Sequence, residues 1–189
     1  ETGSITVGHR ESSIPFSYLD DKQQPIGYAM DLCMKVVDAV KTELKMPNLK
    51  VKRTIMGQLP IGSDLLEGLT AIVQREQITL GRIQAIGATT HAVVAYYDQT
   101  TKTYCPLEFS GGMEILNLTG NVSYRDGKPF VHVHVLLGDA AGKVYGGHVM
   151  PGTKLFALEV SIDELEGGNL SRAQDDRTGL FLWTSGHLT

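Results

Sequence analysis

Neutral imidazole is a common protein ligand for zinc and related metals, and three protein ligands with a fourth position open is the catalytic zinc pattern. Residues 130–151 of this 189-residue chain, FVHVHVLLGDAAGKVYGGHVMP, bring three histidines within reach of one another. Residues 130–137 are rich in β-branched side chains and read as a strand. His132 and His134 are two residues apart, so a strand puts both on one face. Asp139 to Lys143 reads as a tight hairpin connection, with Gly142 where a left-handed residue belongs. Pairing Asp139 with Lys143 sets His134 directly across from His148, with His132 as the diagonal neighbour. Gly146 and Gly147 precede His148 and leave room for another backbone or a ligand. The spacing therefore predicts one divalent metal, zinc first, on His132, His134 and His148. A blander alternative stays open, in which the three are polar side chains on a solvated face. A slip of one residue in the turn would also send His148 to the opposite face.

Those histidines need a sheet behind them, and the surrounding pattern supplies one. Residues 82–87 and 91–97 are strongly β-like and read as two strands joined by a Gly-Ala-Thr-Thr link. After a turn at 98–101, residues 103–109 and 114–124 read as two more, broken at Gly111 and Gly112. Asp126 and Gly127 mark a hairpin turn, residues 155–162 alternate as a further strand, and 180–183 could add a last one. One helix precedes them all. Ser63 or Asp64 can cap it, and Leu65, Leu66, Leu69, Ile72 and Val73 form its apolar face. Regularly spaced strands with one early helix predict an α+β domain built on an antiparallel sheet.

Composition narrows the function classes. Hydrophobic content of 42% and charged content of 20% are ordinary for a soluble globular protein, and no apolar run reaches membrane-spanning length. Without a signal peptide at Glu1, the expected location is cytoplasmic, and no membrane partner is expected. Cys33 and Cys105 are too few for a disulfide framework. The net charge of −4 does not favour non-specific nucleic-acid binding. It divides into +1 over residues 1–55 and −5 over residues 56–189. No Gly-x-Ser-x-Gly or phosphate-loop pattern occurs, and Cys105 has no evident base beside it.

Residues 1–55 have a character of their own. Short strands at 5–7 and 16–19, a helix over 27–45 and a strand over 49–55 would make a β-α-β fragment. Met30, Met34, Val37, Val40 and Leu44 form the helix stripe, and Pro47 stops it. The run GHRESSIPFSYLDDKQQPIGYAMDL resembles the opening of periplasmic solute-binding proteins for polar amino acids, closest to the glutamate/aspartate group. Gly27 to Leu32 matches that family's Gly-[Phe/Tyr]-x-x-Asp-Leu element. The resemblance implies a ligand carboxylate at Arg10, with Ser12, Ser13 and Phe16 nearby. It covers about 55 residues and lacks the second lobe, so an amino-acid ligand is not expected to be retained. The expected organisation is a borrowed segment, 1–55, ahead of a domain spanning 56–189.

Over nearly its whole length, 56–189 resembles the PPC domain (plant and prokaryote conserved domain). The matching pieces are 59–65 (LPIGSDL), 86–88 (IGA), 112–116 (GMEIL), 118–120 (LTG), 131–134 (VHVH), 146–148 (GGH) and 175–179. The family's Gly-Arg-Phe-Glu-Ile-Leu form appears as Gly-Gly-Met-Glu-Ile-Leu, so a role resting on that arginine is lost. The resemblance implies a compact α+β unit with one main helix, trimeric in prokaryotic members. Some members with the same histidine pattern are similar to metal-containing proteins, and Glu114 is a candidate for a supporting carboxylate. Plant members read A·T-rich DNA through a separate AT-hook with an Arg-Gly-Arg-Pro core, which this chain lacks. The reading that follows is a homotrimeric regulatory or interaction protein, associated at most weakly with DNA and carrying a histidine metal site, rather than an enzyme. Its rivals are a metal-dependent hydrolase or lyase using zinc on the same histidines, and an amino-acid-binding sensor.

Overall fold

The computed structural model describes residues 12–13, 17–19, 25–26 and 49–184. Near the N-terminus the backbone forms β1 (Ser12–Ser13), β2 (Ser17–Leu19) and β3 (Pro25–Ile26), an antiparallel three-stranded sheet in sequence order. The helix expected over 27–45 lies outside the described residues, as do Arg10 and Phe16.

From residue 50 the chain builds one eight-stranded sheet and one helix. The elements are β4 (Lys50–Leu59), α1 (Leu65–Arg75), β5 (Gly81–Asp98), β6 (Thr103–Arg125) and β7 (Lys128–Gly138). There follow β8 (Val144–Val149), β9 (Lys154–Glu166), β10 (Ser171–Gln174) and β11 (Phe181–Trp183). The pairings β5–β6, β6–β7, β7–β8 and β8–β5 close a circuit. Strand β9 then pairs with the remaining length of β5, and β4 pairs with β9. On the far side β10 joins the end of β6 in parallel and carries β11 beside it.

This corrects the expected fold class. Among the described residues strand accounts for 65% and helix for 8%, with one helix and no β-α-β fragment. Two physical reasons account for the difference. The glycine-containing stretches at 87–90 and 111–112 do not end strands, because β-bulges absorb them and β5 and β6 run on as 18- and 23-residue strands. The early short strands pair antiparallel with each other, not in parallel across a helix.

Helix α1 forms where the apolar stripe predicts it. Leu65, Leu69 and Val73, four residues apart, are fully buried. Asp64 is the N-cap, its carboxylate accepting from the Leu66 and Glu67 amides at 3.0 and 3.1 Å. The stripe packs into one core with Val131, Val133, Val135 and Leu137 of β7 and Leu155, Leu158, Val160 and Ile162 of β9. Each fully buried Leu, Ile or Val contributes about 1.5–3 kcal/mol, so this face of β7 is firmly specified. The alternation leaves His132, His134 and Leu136 on the opposite face.

Candidate metal centre

Two hairpins position the histidines. Between β6 and β7 the loop is Asp126 and Gly127, both at positive φ (52° and 74°), as a two-residue turn matched to strand twist requires. Between β7 and β8, Gly142 has φ 78° and the Asp139 amide donates to the Lys143 carbonyl at 3.0 Å. The register is the predicted one, His134 opposite His148. Gly120 of β6 faces the backbone of His132, and a Cβ there would overlap the His132 carbonyl oxygen. Glycine at that position lets β6 approach the histidine-bearing stretch of β7.

The three imidazoles converge. Ring centroids are 5.2 Å apart for His132 and His134, 5.0 Å for His132 and His148, and 5.2 Å for His134 and His148. One nitrogen from each lies within 4.8 Å of the others, which groups the three as candidate ligands of one ion, with the rings drawing closer to reach zinc bonds of about 2.0–2.1 Å. The closest pair is His134 Nε2 and His132 Nε2 at 3.3 Å. Burial, helped by the charge of Arg172 and by the other two imidazoles, lowers His132 to about 4. His148 is also lowered to about 4, by burial, by His134 and by Arg172. Burial shifts His134 in the same direction. Each shift favours the neutral ring, the form in which imidazole ligates a cation. Nδ1 of His148 is buried without a hydrogen-bond partner. An orphaned imidazole nitrogen in a cluster of neutral imidazoles fits a metal ion.

Around the rings lies a cavity of about 410 Å³. Tyr104 places its ring 5.0 Å from His148 and 4.9 Å from Tyr97, whose hydroxyl donates to the Thr178 carbonyl at 2.7 Å. Opposite, Arg172 of β10 donates to Ser123 Oγ at 2.9 Å, the Phe181 carbonyl at 2.9 Å and Asn121 Oδ1 at 2.8 Å. Asn121 is the cross-strand partner of His132, so Arg172 is tied directly to the histidine register. Lys102 and Arg125 also line the space.

The other predicted site residues fall elsewhere. Glu114 is exposed, pairs with Gly138 at the other end of β7, and lines a separate cleft with Thr89, Asp139 and Phe156. Ser12 and Ser13 form the backbone of β1. Arg172, Tyr104 and Lys102 were not singled out from the sequence. A local signal for Arg172 is lacking, because β10 is four residues long and meets β6 through only two paired positions. Tyr104 had a fainter one, in that a hairpin closed at Asp98 and Thr103 would set it opposite Tyr97.

The model of the Plants and Prokaryotes Conserved (PCC) domain matches residues 46–166. The chain belongs to that family. A solved structure of a metal-containing protein from Archaeoglobus fulgidus is 43% identical, with a TM-score of 0.69 over 72% of this chain and 96% of that one. A plant- and prokaryote-conserved protein from Pyrococcus horikoshii is 34% identical, also with a TM-score of 0.69, over 72% and 94%. A short N-terminal segment matches as well: over 57 residues, 30% of this chain, the identity to an L-glutamate/L-aspartate-binding protein of Pseudomonas aeruginosa is 58%. This chain spans 19% of that relative's length. Both resemblances read from the sequence are thus found, with the PCC match running over 46–166 where 56–189 was expected. No helix among the described residues is long and apolar enough to cross a membrane.

Proposed function

We propose that this PCC domain binds one divalent metal ion, zinc first, through His132, His134 and His148, leaving one side of the ion open to the cavity. The observation that carries this reading is the convergence of three neutral imidazoles with one buried nitrogen unpartnered. The 43% identity to a metal-containing protein supports it. Bound there, the ion would supply Lewis acidity toward a ligand oxygen. The chain's own contribution is to hold the rings uncharged and convergent and to line the approach with Tyr104 and Arg172. Elemental analysis of protein purified without added metal tests this directly, with about one zinc per chain expected. Calorimetry should then show the His134→Ala, His148→Ala double variant weakened by more than about a hundredfold, since even outer-shell losses cost 10–100-fold. Unchanged zinc affinity in that variant would overturn the reading.

Homotrimer formation belongs to the same proposal. Ile86, Leu116, Leu136 and Phe156 are exposed, and each adjoins a buried residue on its strand, so each points away from the core. They supply apolar surface for self-association, and light scattering on the eluting protein should give three times the chain mass. Direct DNA binding is proposed to be weak and unselective, given the −4 net charge and the missing AT-hook core.

A further inference from the structure

Among the described residues, the histidine cavity has no Asp or Glu on its wall, yet Lys102, Arg125 and Arg172 all line it. Arg172 is the decisive group. It is only 9% exposed, and its three hydrogen bonds go to a serine hydroxyl, an amide oxygen and a backbone carbonyl, all neutral. Those contacts use only part of the guanidinium fork. Lys102 is likewise held by a neutral group, the Asp176 carbonyl, at 2.8 Å. Arg125 is fixed against Phe181, with its guanidinium carbon 3.5 Å from the ring centroid. Burying a cation without a counter-charge is costly, and a divalent ion on the histidines would add to the positive charge.

We propose that this cavity binds a small organic carboxylate, with its carboxylate on Arg172 and a second oxygen directed to the histidine site. The inference rests on the metal reading for that second contact alone; the arginine contact stands without it. A planar guanidinium matches a carboxylate in two parallel hydrogen bonds. Arg172 is steadied for this by Trp183 at 5.4 Å and Phe130 at 5.9 Å. The phenyl rings of Phe130 and Phe181 favour a small organic acid over a bare inorganic anion.

Trp183 is the single tryptophan of the chain and reports on Arg172. The full chain, zinc-loaded and metal-free, is titrated with oxalate at constant ionic strength while Trp183 emission is followed. Saturable responses are expected in both forms, about tenfold tighter with zinc, with none for neutral oxamide. Arg172→Met should weaken oxalate binding about tenfold, while zinc, relieved of a nearby cation, should bind at least as tightly as in the wild type. Should that variant fail to fold, the wild-type titrations still decide. No saturable oxalate response in either form overturns the proposal, whatever the zinc result. A response to phosphate with none to oxalate overturns the carboxylate assignment. If zinc fails to bind while oxalate binding still depends on Arg172, the metal reading alone falls.

Discussion

Two arginines near opposite ends of the sheet order, Arg53 on β4 and Arg172 on β10, are handled in opposite ways. Arg53 is matched, with Glu164 Oε2 at 2.6 Å and Glu76 Oε2 at 3.3 Å, while Lys52 meets the other oxygen of Glu164 at 2.8 Å. Next to it, Arg82 and Asp163 pair at 2.7 Å. At this end charge holds strands together, and nothing is left over to bind a ligand. Arg172 is more buried than Arg53 and has only neutral acceptors. The same residue type is a fastener at one end and a candidate recognition group at the other. What separates them is the presence or absence of a carboxylate.

The largest effect should come from the most heavily used carboxylate of the matched end. Asp64 is 5% exposed, caps α1 through two amides, accepts from the Gly152 amide at 2.7 Å and faces Lys154 at 3.7 Å. Asp64→Ala removes the cap and leaves the half-buried Gly152 amide without its acceptor, so a loss of about 2–4 kcal/mol is expected. Urea unfolding measures it, and a loss below about 1 kcal/mol would mean that the amides find water instead.

Glu164→Gln comes next. Burial pushes the Glu164 carboxyl up, but hydrogen bonds and charge from Lys52 and Arg53 outweigh it and hold the group below the usual carboxylate range. Its contribution is therefore complete above the ordinary carboxyl pKa and is lost as the pH falls through the lower folded value. Lys52 and Arg53 are about half exposed, so screening limits the expected loss to about 1–2 kcal/mol at pH 7. The gap between variant and wild type should close in acid. A gap that stays constant from pH 7 to pH 3 would remove the ionic account of this end.

Asn121→Asp converts the unmatched end into a copy of the matched one. The substitution is isosteric and places a carboxylate where Asn121 Oδ1 now accepts from Arg172 at 2.8 Å. An ion pair replaces a bond from the guanidinium to a neutral acceptor, so the metal-free domain should gain about 1 kcal/mol. Oxalate binding should fall at the same time. If stability rises while oxalate binding is unchanged, Arg172 is a fastener too, and the contrast between the two ends disappears.

The matched and unmatched ends were not equally legible in the sequence. The histidine register could be read because both of its determinants are local: the β-branched alternation of 130–137 and the left-handed Gly142. Helix α1 was legible for the same reason, through its four-residue spacing and an acid at the cap. Long-range geometry was not. The bulges that carry β5 past Ala85 and Thr89 keep a strand running where composition suggests a link. Arg172 reaches the cavity only because a four-residue strand lies parallel to the end of β6, an arrangement that leaves no periodic trace. The family resemblance found the domain, but it gave no sign that this arginine lacks a carboxylate.

The smallest expected effect concerns the amino-terminal segment. The described core closes without it: every residue of the main cluster lies between Ile55 and Ile162. Strand β4 is held by β9 along its length, from Lys50 against Glu166 to Leu59 against Leu158. Leu49 packs with Leu80, Leu165, Leu170 and Trp183, so a cut before residue 49 keeps that second cluster whole. The PCC match begins at residue 46, close to this point. Deleting residues 1–48 should therefore leave a cooperative transition, a Tm shifted by no more than about 2–4 °C, the scale of a 1 kcal/mol change, and an unchanged oligomer mass. Both ends of the sheet are retained in the shortened chain, so the zinc and oxalate titrations should also be unaltered. Near-UV circular dichroism is the sensitive check, because Trp183 sits in the cluster that Leu49 completes. A shortened chain with a featureless near-UV spectrum, or one that elutes as a monomer, would show that the amino-terminal segment is part of the fold rather than an addition to it.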